Sequence, residues 1–146
     1  MKQLVDFHHE MLQDIQIHAD VNGMFSEDAF FDLLCDQLIE FGELQTADRT
    51  YYSTRGMRID GYGGDPSEDN QVLSLIVSDF KPSEDIVTLT ATEMGQIFQR
   101  AMSFLEHTLD PKFRQSLEET SPAFGVADLI AGRWSKLEKI RFFIIS

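Results

Sequence analysis

The fold is decided by one apolar run that ends in charge, Val72-Leu73-Ser74-Leu75-Ile76-Val77-Ser78-Asp79-Phe80-Lys81. Its aliphatic and β-branched residues predict a strand. Because a strand has a period of two, the side chains of Asp79 and Lys81 are expected on one face of the sheet. A shorter predicted strand upstream, Met57-Arg58-Ile59-Asp60, ends in a second acid.

Two neighbouring strands that each supply a carboxylate, with a lysine beside one of them, meet the needs of metal-dependent phosphodiester cleavage. The carboxylates of Asp60 and Asp79 would hold Mg²⁺ together with its waters, and Lys81 would orient or activate the attacking water. The same two acids have a second interpretation, as strand-end carboxylates that accept backbone N–H bonds in the turns that follow. Both interpretations stay open at the level of the sequence.

The composition is that of an ordinary globular domain. The chain has 146 residues, of which 42% are hydrophobic and 25% charged, enough for one domain with a sizeable core. No apolar stretch is long enough to span a bilayer, and the first residues lack the apolar core of a signal peptide. The single Cys35 excludes an internal disulfide, so we expect a cytoplasmic protein with no membrane partner.

The charge is strongly negative. Twelve Lys and Arg stand against 25 Asp and Glu, which gives a formal net charge of −13. Nucleic-acid affinity comes largely from basic side chains on phosphates, so this balance argues against nucleic acid as a partner. Contact with nucleic acid would need a local basic patch, a metal ion or a basic partner domain.

Hydrophobic periodicity divides the first half of the chain into two helices. Apolar spacing predicts a helix over residues 4–19, and a second is predicted from an N-cap at Ser26 to about Phe41. Glu40 falls at the edge of the apolar stripe of the second helix, where it could reach toward the core face. The predicted stripe consists of Phe30, Leu34, Leu38 and Phe41.

The second half reads as a strand, three helices and a final strand. Pro82 is expected to end the main strand, and Thr90-Ala91-Thr92-Glu93 has the form of a capping box that opens a helix. Pro111 and Pro122 begin two further predicted helices. The chain closes on Ile140-Arg141-Phe142-Phe143-Ile144-Ile145, which has almost no polar alternation, so we expect this strand inside the sheet and paired on both sides. The inner face of the capped helix is predicted as Met94, Ile97, Phe98, Ala101 and Leu105.

The predicted fold class is therefore α/β, with the order helix–three strands–helix–strand and a mixed four-stranded sheet flanked by helices. The last strand runs almost to the final residue, so we expect residues 1–146 to be a single domain, the N-terminal part of a longer protein, with the remainder of that chain as its first partner. Without that remainder, the domain is expected to expose an apolar patch. We therefore predict a symmetric homodimer that buries this patch. The predicted core is Phe30, Leu34, Leu75, Val77, Phe98, Leu105, Phe142 and Ile144.

Several short runs in order resemble the N-terminal region of the AIPR proteins, the abortive infection phage resistance family of bacteria. They are Phe25–Phe31, Ile59–Tyr62, Leu73–Phe80, Thr88–Thr90, the Phe98–Leu105 helix and Arg141–Ser146. The resemblance implies a role in phage defence and further central and C-terminal parts.

The N-terminal region of that family is also similar in element order to the PD-(D/E)XK core of restriction-endonuclease-like enzymes. This similarity assigns Asp60 as the first acid, Asp79 as the second and Lys81 as the lysine, with Glu40 as the helix-borne acid that some such nucleases have. The chain departs from the pattern at Ile59, where a proline would precede the first acid. Two functions follow: a Mg²⁺-dependent nuclease domain that uses these four residues, or a catalytically inactive module that binds a protein partner or dimerises.

Overall fold

The computed structural model describes residues 4–64, 72–81 and 89–146. Ten elements follow one another along the chain, including a short 3₁₀ helix at Trp134–Lys136. They are α1 (Leu4–Asn22), α2 (Ser26–Glu40), β1 (Asp48–Thr54), β2 (Met57–Gly63), β3 (Val72–Ser78), α3 (Ala91–Thr108), α4 (Pro111–Ser116), α5 (Pro122–Arg133) and β4 (Lys139–Ile145). No helix in these ranges is long and apolar enough to cross a membrane. The predicted strand end at Pro82 lies outside the described residues.

The strands form one mixed four-stranded sheet, as the sequence predicted, and their order is β1-β2-β3-β4. β1, β2 and β3 are an antiparallel meander, and β4 runs parallel to β3 from the pair Val72–Lys139 to the pair Ser78–Ile145. Helices α1 and α2 cover one face of the sheet, and α3 and α5 cover the other. The α/β class with helices on both faces is thereby confirmed.

Strand β4 is at the edge of the sheet, so the prediction that it is paired on both sides is wrong. Within the described part of the chain it pairs with β3 alone. Its side chains are apolar because both of its faces are covered. Phe142 packs toward α3, whereas Phe143 and Ile145 pack toward α2.

The buried core matches only some of the residues that the periodicity predicted. Phe30, Leu75, Val77 and Leu105 are buried as predicted, but Phe98 is 38% exposed. The buried stripe of α3 is rotated from the predicted one. It comprises Ala101, Phe104, Leu105 and Thr108.

Two predicted helix features also differ. The residue that precedes α2 as its N-cap is Phe25 and not Ser26, and its side chain makes no capping hydrogen bond. Phe41, predicted to be the last residue of the inner stripe, follows the end of α2 and is 77% exposed. The capping box at α3 is confirmed, because Thr90 Oγ1 accepts from Glu93 N and Glu93 Oε1 accepts from Thr90 N.

Candidate functional site

A cleft of about 600 Å³ lies where β2 and β3 meet the first turn of α2. The ionisable side chains that line it are Glu27, Asp28, Arg49, Arg58, Asp60 and Asp79, and its aromatic lining is Phe25, Phe31, Tyr51 and Phe80. Two of the predicted site residues, Asp60 and Asp79, therefore face one space. Glu27 and Asp28 have an independent structural reason to be there, since acidic residues in a first turn complement the helix dipole.

Asp60 lies where β2 separates from β3. The pairing of the two strands covers Gly61 to Gly63 and stops at the pair Gly61–Ile76. Beyond it, Ser78 N donates to Asp60 Oδ2 at 2.9 Å, and Arg58 Nη2 donates to Ser78 O at 2.9 Å. Side chains from β2 thus satisfy both backbone groups of Ser78 that strand pairing leaves open.

Arg58 also holds the carboxylate directly. Its Nε donates to Asp60 Oδ2 at 3.2 Å, and its Nη2 donates to Asp60 Oδ1 at 3.3 Å. A carboxylate has about four lone-pair positions, two on each oxygen. Oδ2 uses both of its positions on Arg58 and Ser78, so Oδ1 keeps one that no described group occupies.

The backbone of Asp79 is held by strand pairing. Its N–H donates to Ile145 O at 2.8 Å, which extends the β3–β4 pairing by one residue. Oδ2 is buried and has no hydrogen-bond partner among the described residues. Lys81 Nζ stands 3.6 Å away, near enough for an ion pair but too far for a hydrogen bond. The sequence placed Asp79 and Lys81 inside a strand, whereas β3 ends at Ser78.

Lys81 is shared between Asp79 and helix α3. Its Nζ donates to Glu93 Oε2 at 3.1 Å, and the other oxygen of Glu93 completes the capping box with Thr90. The pKa of the Lys81 ammonium is raised, chiefly by the hydrogen bond to Glu93 and further by the charge of Asp79. Lys81 is therefore protonated at neutral pH, so it can stabilise negative charge or orient a water but cannot accept a proton.

The structure does not bring Glu40 to this group. Glu40 is exposed at the last turn of α2, whereas the cleft is built on the first turn. At a rise of 1.5 Å per residue, the two ends of this helix are roughly 20 Å apart. Glu40 is therefore not a neighbour of Asp60 and Asp79.

Two further residues shape the site, Arg58 and Glu93, and neither was predicted from the sequence as a site residue. Arg58 stands two residues before Asp60, a spacing that puts both side chains on one face of a strand. Glu93 was identified as part of a capping box, and its second bond, to Lys81, has no signature in the sequence. Within residues 4–64, 72–81 and 89–146, no three His, Cys, Asp or Glu side chains are grouped to hold a metal ion.

The carboxylates nevertheless suit a hard divalent cation. Among the described residues, the buried Oδ2 of Asp79 accepts no hydrogen bond and Asp60 Oδ1 has a free lone pair, so each acid could offer one oxygen. Mg²⁺ is commonly held by one or two carboxylates, with waters and substrate phosphate as its other ligands.

Comparison with known proteins gives the family. The model of the abortive infection phage resistance protein N-terminal domain matches residues 30–146, which is most of the chain and includes every residue of the cleft from Phe31 onward. No curated protein and no solved structure matches this sequence. The chain belongs to the abortive infection phage resistance protein N-terminal domain family.

Proposed function

We propose that this domain hydrolyses phosphodiester bonds with a divalent metal ion, as part of a phage-defence protein. The observation that carries the proposal is that Asp60 and Asp79 line one cleft, each with a carboxylate oxygen that lacks a full set of partners among the described residues. Family membership supports the setting in phage defence. The similarity of element order to restriction-endonuclease-like enzymes supports the reaction type.

Each side chain has a distinct part in this proposal. Asp60 and Asp79 would bind Mg²⁺, which supplies an activated water and neutralises charge on the phosphate. Lys81 stays protonated and stabilises the charge that develops on the phosphate oxygens. Glu93 holds Lys81 through its hydrogen bond and keeps the ammonium beside Asp79.

A second candidate is supported by the bonds of Asp60. Its carboxylate already accepts hydrogen bonds from Arg58 and Ser78, which is the strand-end role that the sequence left open. A domain in which both acids had only such roles would be an inactive module that binds a protein partner. The two candidates differ in whether an ion binds at Asp79.

Metal binding tests the proposal directly. The melting temperature of the wild-type chain should rise on addition of Mn²⁺, because a ligand that binds only the folded state stabilises it by about 2.7 kcal/mol at one hundred times its Kd. Asp79→Asn should abolish the rise. Asp128→Asn, which removes the same charge from an exposed position on α5, should keep it.

Cleavage of a labelled oligonucleotide in Mg²⁺ by the wild-type chain, and its loss in Asp79→Asn, completes the test. A rise in melting temperature that is equal in wild type and Asp79→Asn would place any bound ion elsewhere. Together with the absence of cleavage, that result would favour the inactive module.

A further inference from the structure

Two exposed aromatic side chains share the cleft with the candidate site. Phe25, the residue before α2, is 81% exposed, and Tyr51 of β1 is 65% exposed. Both line the space that contains Asp60 and Asp79. Single exposed apolar residues are ordinary on protein surfaces, but two large rings at one charged cleft form a surface that a ligand can cover.

The charges of the cleft cannot bind a polyanion by themselves. Among the described residues, four carboxylates line it against two guanidinium groups, a formal charge of −2. Both arginines are already paired, Arg49 with Asp28 at 3.5 Å and Arg58 with Asp60 at 3.2 Å. Phosphates are bound mainly by cationic side chains that are not already paired, so a nucleic acid in this cleft has to be held largely through its bases.

We propose that the cleft binds single-stranded nucleic acid by stacking bases on Phe25 and Tyr51. This inference rests on the proposed function and names its substrate class. Stacking on aromatic rings tolerates any base sequence, because every base has a flat π-face. The guanidinium of Arg58 lies 5.9 Å from the centroid of the Tyr51 ring and offers a second planar surface beside it. In a duplex the base faces are covered by their neighbours, so these rings select single strands.

Fluorescence anisotropy with a labelled oligothymidylate tests the inference. Binding is measured in EDTA, where no metal chemistry occurs, and again in Ca²⁺. Phe25→Ala and Tyr51→Ala should each weaken binding by roughly 5- to 150-fold, the loss expected for one stacked base. Tyr51→Leu, which keeps apolar bulk without a ring, should behave like Tyr51→Ala.

The chain offers a matched control in Phe41. Phe25 and Phe41 flank the two ends of α2, are 81% and 77% exposed, and neither side chain caps the helix through a hydrogen bond. Phe41→Ala should leave the Kd unchanged, because Phe41 does not line the cleft. An abasic strand of the same length should bind as weakly to wild type as oligothymidylate binds to a Phe25→Ala, Tyr51→Ala double variant.

The results separate this inference from the proposed function. Ring-dependent strand binding with no cleavage and no ion at Asp79 would keep the inference and remove the hydrolysis. Asp79-dependent cleavage at the wild-type rate by a Phe25→Ala, Tyr51→Ala double variant would keep the hydrolysis and overturn the inference. Equal affinity for abasic and normal strands, or tighter binding of duplex, or no strand binding by wild type, would overturn the inference.

Discussion

Asp60 and Asp79 should differ sharply in what they contribute to stability, although the proposed reaction needs both. Asp60→Ala leaves Ser78 N without its acceptor in a site where the Asp60 side chain is only 12% exposed. A buried N–H without a partner costs about 1–3 kcal/mol. The ion pair with Arg58 adds at most about 1 kcal/mol, because the Arg58 side chain is 32% exposed and screened by water. The expected loss is roughly 1–4 kcal/mol.

Within the part of the chain that the structure describes, Asp79→Ala removes no hydrogen bond of the side chain. Its carboxylate forms a 3.6 Å ion pair with Lys81, whose side chain is 37% exposed, so less than about 1 kcal/mol should be lost. Urea unfolding in EDTA, followed by far-UV circular dichroism, measures both losses. With a slope of about 1–3 kcal/mol per molar urea, the Asp60→Ala midpoint should fall by roughly 1 M and the Asp79→Ala midpoint by much less.

Asp128→Ala on α5 serves as the control, since it removes a carboxylate from an exposed surface. Equal midpoints for Asp60→Ala and Asp79→Ala would refute the reasoning. That result would mean that the bonds from Ser78 and Arg58 to Asp60 do not hold β2 and β3 together.

Three further predictions concern packing and ionisation. Phe104→Ala should lower the free energy of unfolding, measured in urea, by roughly 3–5 kcal/mol and Phe98→Ala by much less, because Phe104 is fully buried and Phe98 is 38% exposed. The reverse order would contradict the observed buried face of α3. Gly61→Ala should lower the free energy of unfolding by about 1–3 kcal/mol, since a Cβ there would overlap the Phe31 ring, whereas Gly95→Ala in the open interior of α3 should be neutral or stabilising. Thermal unfolding of the two variants compares these effects. Burial raises the pKa of the Cys35 thiol from 9.0 to about 12. Stability should therefore fall as pH rises above 9, because the thiol ionises in the unfolded state but not in the folded state, and a Cys35→Ala variant should lack that component of the pH dependence.

The sequence predicted most of the fold because its signals are local. The capping box at Thr90, the prolines that begin α4 and α5, and the apolar run of β3 all act within a few residues. What failed depends on distant packing. Phe98 and Phe104 fit almost equally well on an inner face of α3, and only the position of the sheet decides that Phe104 is buried.

The site was predictable in part for the same reason. Asp60 and Asp79 converge because β2 and β3 are neighbours in an antiparallel meander, which the order of short strands already indicated. The edge position of β4 and the link from Lys81 to Glu93 depend on how separate elements meet in space. Glu40 was placed by similarity of element order, and the direction of α2 relative to the sheet takes it to the far end.

The bonds from Asp60 to Ser78 have a consequence for how relatives of this domain should be compared. Asp60 accepts the N–H of Ser78 beyond the last β2–β3 pair, so a relative without hydrolytic activity would still gain stability from keeping Asp60. Asp79 has no such protection, because its carboxylate is held by no hydrogen bond among the described residues. We therefore expect retention of Asp79 across the family to follow the proposed hydrolysis, and retention of Asp60 to follow the stability of the fold.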